Sequence, residues 1–247
     1  YLQKTQNGDG SWDTRSQVGM TGLALLAYLG HCETPQSKKY GDTVLKAIMY
    51  LVNTGLKNQD GVLCAGRGHG AVYEHGIATY ALAEAYTFCS KLNIKIPDLD
   101  KVTKKAGDLL MEGQTPVGGW LYGYAKGGSG DNSVGYWQIQ AMKACKHTGL
   151  WKESHFTKHS KLALEWLENS WRHLWFPSRG AAGDMMNDMV VVGCEVFENL
   201  GVAIGPGDGR TRDRLGSSEP EVDDRFIPTE KSVDGAQRAR LLFPISR

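Results

Sequence analysis

Few residues of this chain have types and spacings suited to chemistry, and most of them fall at two places. At the first, Arg67-Gly68-His69-Gly70 runs into Tyr73-Glu74-His75, which puts two imidazoles and a carboxylate near the start of one apolar segment. Such groups suit a transition metal or acid–base work. At the second, Asp131-Asn132-Ser133 precedes Val134, Trp137, Ile139, Ala141, Met142 and Cys145. Side chains of those three polar types accept hydrogen bonds from the free N–H groups of a first helical turn. Tyr73, Tyr80, Trp120, Tyr122, Tyr124, Tyr136 and Trp137 stand around both places. Aromatics facing a cavity would hold an apolar or cationic ligand by stacking and cation–π contact. The candidate catalytic residues are therefore Asp131, Glu74 and His75. The candidate ligand-binding residues are Tyr73, Tyr80, Tyr136, Trp137 and His69. A plainer reading stands beside each. Glu74 and Asp131 read as first-turn charges or caps, the histidines as residues without a fixed partner, and the aromatics as core. A carboxylate at the positive end of a helix is also favoured in its charged form, which opposes a role as acid at neutral pH. No metal and no cofactor are assigned.

The rest of the chain narrows the field. It holds no Gly-x-Ser-x-Gly, no phosphate loop and no His-Glu-x-x-His, and Gly205-Pro206-Gly207-Asp208-Gly209 reads as a turn-rich junction. Cys32, Cys64, Cys89, Cys145 and Cys194 are scattered with no Cys-x-x-Cys, so buried thiols are expected rather than a disulfide framework. The formal net charge of +1 gives no reason to expect nucleic acid. The longest apolar run, 19–30, is too short to span a bilayer. The chain opens at Tyr1 with no Met and no signal-like segment, and reads as a fragment or a processed chain.

The elements that must position these residues repeat. Ser16-Gln17-Val18-Gly19-Met20-Thr21-Gly22 aligns with Tyr73-Glu74-His75-Gly76-Ile77-Ala78-Thr79 and with Asn132-Ser133-Val134-Gly135-Tyr136-Trp137-Gln138. The loops before them repeat too. Gln6-Asn7-Gly8-Asp9-Gly10-Ser11-Trp12 matches Gln114 to Trp120, with a weaker copy at Gln59-Asp60-Gly61-Val62. Each aligned helix (17–29, 73–89 and the one after Asp131) is apolar on most sides. Each is followed by an amphipathic helix with one wet face, at 40–52, 99–111 and 156–171. Buried helices alternating with half-wet ones predict two layers. The fold class is all-α, an α/α toroid of paired inner and outer helices, here partial. A fourth inner helix is expected at 184–200. Residues 1–204 form the repeat domain, and 205–247 an irregular, charged C-terminal tail.

These repeats resemble those of the squalene–hopene cyclase and protein prenyltransferase superfamily. The loops 6–12 and 114–120 match the Gln…Gly-x-Trp motif of triterpene cyclases, and the likeness covers residues 1–201. It is closest to bacterial proteins with prenyltransferase/squalene-oxidase type repeats. The resemblance implies the toroid, but not the known chemistry. The cyclases' Asp-x-Asp-Asp acid is absent, and the one Asp-Asp pair, Asp223-Asp224, lies in the tail. The zinc segment of the prenyltransferases aligns with Asp131, Trp137 and Gln138, but its thiolate position is Ser133. The segment that should bring the zinc histidine reads Asp184-Met185-Met186-Asn187-Asp188. The expectation is a cyclase-like domain that binds an apolar small molecule in its lumen without the known catalytic groups. Two alternatives stand. One is an active isoprenoid cyclase-type enzyme using Glu74, His75 and Asp131. The other is a structural or protein-binding repeat domain. A partial ring would expose its inner helices, so a homo-oligomer or a protein partner completing the ring is expected.

Overall fold

The structure is a computed structural model, and it describes residues 1–64, 68 and 70–174, with side chains to 170. Six α-helices follow a short 3-10 turn at Leu2–Thr5. They are α1 (Gln17–Gly30), α2 (Gly41–Lys57), α3 (Ala71–Lys91), α4 (Leu99–Glu112), α5 (Asn132–Thr148) and α6 (Glu153–Leu174). The described residues contain no strand, as an all-α fold requires. None of the described helices is long and apolar enough to cross a membrane.

Local chemistry explains the elements. Asp131 caps α5 by accepting the Val134 N–H at 3.2 Å. The helix ends at Gly149, whose φ of 75° is the left-handed conformation glycine takes at a helix C-terminus. Lys146 and His147 lie in its last turn, where the dipole favours cations. In α2, Val44, Ala47, Ile48, Leu51 and Val52 make one buried stripe, and in α4, Leu99, Val102, Ala106 and Leu110 do the same. The wet face of α4 carries the Lys104–Asp108 ion pair at 2.8 Å. α3 is buried on more than one side, with Val72, Gly76, Ala78, Ala81, Leu82, Ala83 and Ala85 all enclosed.

The packing follows from these faces. α3 lies between α1 and α5 and packs most extensively on those two. The second helices back this row: α2 packs on α1 and α4, α4 on α3 and α5, and α6 on α5. Glycines permit the close approach within the row. A methyl group on Gly22 would come within 2.9 Å of Ile77 Cγ2, and one on Gly76 would strike the Gln138 amide. Gly135 is different, because it faces the indole of Trp166 on α6. The three aligned glycines are thus not equivalent: Gly19 faces Glu74 of α3 and Gly76 faces Gln138 of α5, each on the neighbouring row helix, whereas Gly135 faces the helix behind.

The two Gln-to-Trp loops share the same anchoring bonds. Gln6 Nε2 donates to the Gly10 carbonyl at 3.0 Å and to Thr43 of α2 at 3.0 Å. Gln114 Nε2 donates to the Gly118 carbonyl at 2.9 Å and to His159 of α6 at 3.0 Å. The Trp12 and Trp120 indoles each donate to a carbonyl ten residues earlier, Leu2 and Leu110, at 2.9 Å. Gly10 (φ 94°) and Gly118 (φ 99°) lie against the backbone of Lys46 and Leu162. There a side chain would meet both a forbidden dihedral and a carbonyl. Each loop therefore buckles onto the second helix of its own repeat. In the middle copy the amide is Asn58, not Gln59. Its Nδ2 donates to Val62 at 2.6 Å, Gly61 lies against Lys105, and Leu63 is buried.

Cys89 and Cys145 are buried, and burial pushes the Cys89 thiol up to about 11, while Cys32 is exposed. The expected fourth inner helix at 184–200, with Cys194, and the tail at 205–247 lie outside the described residues. So do Arg67 and His69.

Candidate functional site

The starts of α3 and α5 lie side by side, and four oxygen-bearing side chains meet there. Tyr73 comes from the first turn of α3, Ser133 from the first turn of α5, and Asp131 from its cap. Tyr122 comes from a 3-10 turn at Tyr122–Tyr124, which the Trp120 anchor holds in front of α5. Ser133 Oγ lies 2.5 Å from Asp131 Oδ1 and 2.6 Å from the Tyr73 hydroxyl. The Tyr122 hydroxyl lies 3.2 Å from that of Tyr73, and 3.4 Å from Asp131 Oδ2. The two phenol rings pack edge to face with centroids 5.9 Å apart. The Ser133 hydroxyl holds Asp131 below the usual carboxylate range, and the Val134 N–H adds to the effect. Asp131 is therefore an ionised hydrogen-bond acceptor at neutral pH rather than an acid.

His75 belongs to the core instead. It is fully enclosed, whereas its place near a helix start made it a candidate catalytic group. Its Nδ1 accepts the Leu63 N–H at 2.9 Å, and that bond leaves Nε2–H to donate to the Ala106 carbonyl at 3.1 Å. Burial lowers its pKa to about 4, so it is neutral. Both nitrogens are used to tie the 61–64 loop and α4 to α3, and neither can reach a substrate.

Glu74 points elsewhere again. Its Cγ packs over Gly19, on the α1 side of α3, while Tyr73 reaches Ser133 on the α5 side. Tyr80 is half-buried, and burial raises its phenol pKa. Trp137 is half-buried, and Tyr136 is 37% exposed. The structure thus joins Tyr73 and Asp131, and separates them from Glu74 and His75.

Tyr122 and Ser133 are the site residues that sequence reasoning did not select. The signal was a serine two residues after the cap, together with the Tyr122-Gly123-Tyr124 run behind Trp120. The neighbouring Tyr124 serves the core. It donates to Gln138 Oε1 at 2.9 Å, and Gln138 Nε2 donates to the Val72 carbonyl at 2.9 Å.

A prenyltransferase zinc needs a thiolate and an imidazole beside its carboxylate. Here the thiolate position is a hydroxyl bonded to Asp131, and the nearby His75 has no free nitrogen. Among the described residues no three His, Cys, Asp or Glu side chains converge on one point. The donor set does not fit zinc. No family model, curated protein or solved structure matches the chain.

Proposed function

We propose that this chain is a repeat domain of the terpenoid cyclase and prenyltransferase kind, all or part of an α/α toroid. It binds an apolar small molecule on the open face of its first-row helices, and it lacks the catalytic groups of both enzyme types. The observation that carries the reading is the recurrence of the anchoring bonds in the two Gln-to-Trp loops, each fastening a second helix behind a first. With α2, α4 and α6 behind it, the row keeps large apolar side chains exposed on α1 and α5, though not on α3, and α2 exposes Leu45 and Leu56 as well. Met20 (42%) and Leu23 (37%) stand on α1, and Tyr136 stands on α5. Apolar area of that kind gains by being covered.

The enzyme alternative loses support from the site. Asp131 is held ionised, and His75 is enclosed with both nitrogens bonded. The protein-binding alternative keeps one observation in its favour. Met20, Leu23 and Ala27 form an exposed stripe along α1, at the spacing by which helices pack on helices. Native mass spectrometry of the purified chain separates the two. A co-purifying adduct of a few hundred daltons, released on collisional activation, is the expected result. A ligand-free dimer would favour protein docking, and an empty monomer that takes up no added apolar compound would refute the ligand reading.

A further inference from the structure

Glu84 is a carboxyl group on the open face of α3 that the fold does not use. Contacts assign the other sides of that helix. Ile77 and Ala78 meet Gly22 of α1, Gly76 meets Gln138 of α5, and His75 reaches α4. The line left over runs through Tyr73, Tyr80, Glu84, Thr87 and Lys91, whose spacing keeps to one face of a helix. All but Lys91 are half-buried, because α1 and α5 flank α3 on both sides. Among the described residues Glu84 makes no hydrogen bond and no ion pair; Lys143 of α5 and Lys91 act on it only through space. Thr87, one turn further on, spends its hydroxyl on the Ala83 carbonyl at 3.0 Å. Burial raises the Glu84 carboxyl above the usual glutamate range, and the two lysines offset only part of that rise. A carboxyl group drawn out of water without a partner is costly. The neighbouring charges narrow the choice of partner. An anion meets Glu84, and an organic cation meets two ammonium groups. A neutral hydroxyl suits both signs: its proton goes to the carboxylate, and its oxygen accepts from an ammonium.

We propose that Glu84 anchors the hydroxyl group of an apolar alcohol on the open face, with the apolar part running toward Tyr80. Gly19 and Gly22 lie level with Glu74 and Ile77, and Ser133 and Gln138 lie level with Tyr73 and Gly76, so the three row helices run in the same direction. Leu23 on α1 and Tyr136 on α5 therefore stand on the Tyr80 side of Glu84, and both are exposed. The inference rests on the reading that the open face binds apolar molecules, and its test keeps the two apart.

The test is isothermal titration of the full chain with octan-1-ol, its isomer 1-methoxyheptane, and octylammonium. Alcohol and ether hold the same atoms, but only the alcohol donates a hydrogen bond. Octanol is expected to bind roughly tenfold tighter than the ether, as a hydrogen bond to a charged group implies. Octylammonium, which meets Lys91 and Lys143, should bind more weakly than octanol. Glu84→Met keeps an unbranched stem and a good helix former while removing the carboxyl group. That variant should bind alcohol and ether equally. Carbon-13 NMR of the Glu84 carboxyl gives a second readout: octanol should lower its pKa, because a donor favours the carboxylate, whereas the ether should raise it by burial. Equal affinities for alcohol and ether, an unchanged ratio in folded Glu84→Met, or tighter binding of octylammonium than of octanol would overturn the Glu84 assignment and leave the apolar face standing. If none of the three probes binds, the apolar-face reading fails and the Glu84 assignment fails with it.

Discussion

His75 and Asp131 sit at the starts of two neighbouring helices, and the fold treats them in opposite ways. His75 is enclosed, neutral, and bonded at both nitrogens to backbone groups of other segments. Asp131 is half-buried and ionised, with one oxygen held by its own helix and the other only loosely bonded. The difference teaches how to read polar residues at helix starts. Residue type nominates both, but the count of bonds already made decides which one has valence to offer a ligand.

That comparison can be broken most forcefully at His75. His75→Ala leaves the Leu63 N–H and the Ala106 carbonyl unpaired and opens a cavity, so it should destabilise the domain by about 4 kcal/mol. Urea denaturation measures this, and a loss near zero would mean that His75 is not a core residue. Its proton linkage gives the next effect. The folded pKa of about 4 lies below the ordinary histidine value of about 6.5, so the unfolded chain binds more protons between those limits. Stability is then full above pH 6.5 and falls as pH drops toward 4, by roughly 3 kcal/mol in all. His147 and His159 are also lowered, mainly by burial, and act in the same direction. The His75 share is therefore the difference in slope between the native chain and His75→Gln.

The two loops sharpen the comparison further. Gln114 is buried and also meets His159 Nδ1 at 2.7 Å, whereas Gln6 is half-buried. Gln114→Ala should cost about 2–3 kcal/mol and Gln6→Ala about 1 kcal/mol, both read from denaturation midpoints. The smallest effect belongs to Asp131. Asp131→Ala should cost about 1 kcal/mol as a lost cap, while Asp131→Asn should cost only a few tenths. A large loss in Asp131→Asn would make Asp131 a structural group like His75, and would erase the contrast.

The six helices and both Gln-to-Trp loops were legible in the sequence, because apolar periodicity and turn residues are local signals. Rotation about each helix axis was not. Gly135 aligns with Gly76, yet it turns toward Trp166 of α6 rather than along the row. Glu74 and His75 are neighbours in sequence, yet a helix separates adjacent residues by about 100°, so one packs over α1 and the other is buried against α4. Tyr122 reaches the site through a loop whose course depends on the Trp120 anchor, and no periodicity encodes that. The middle loop hid its amide one residue early, at Asn58, because an asparagine there makes the bond that glutamine makes in the other two copies.

The open face is tested most directly by its methionines. Met20 is exposed on α1, whereas Met111 and Met142 are buried. With the methionine methyl groups labelled with carbon-13, octan-1-ol should shift the Met20 resonance in a saturable way and leave those of Met111 and Met142 in place. A spectrum in which Met20 does not respond, at alcohol concentrations that leave the chain folded, would contradict an apolar binding face on the first-row helices.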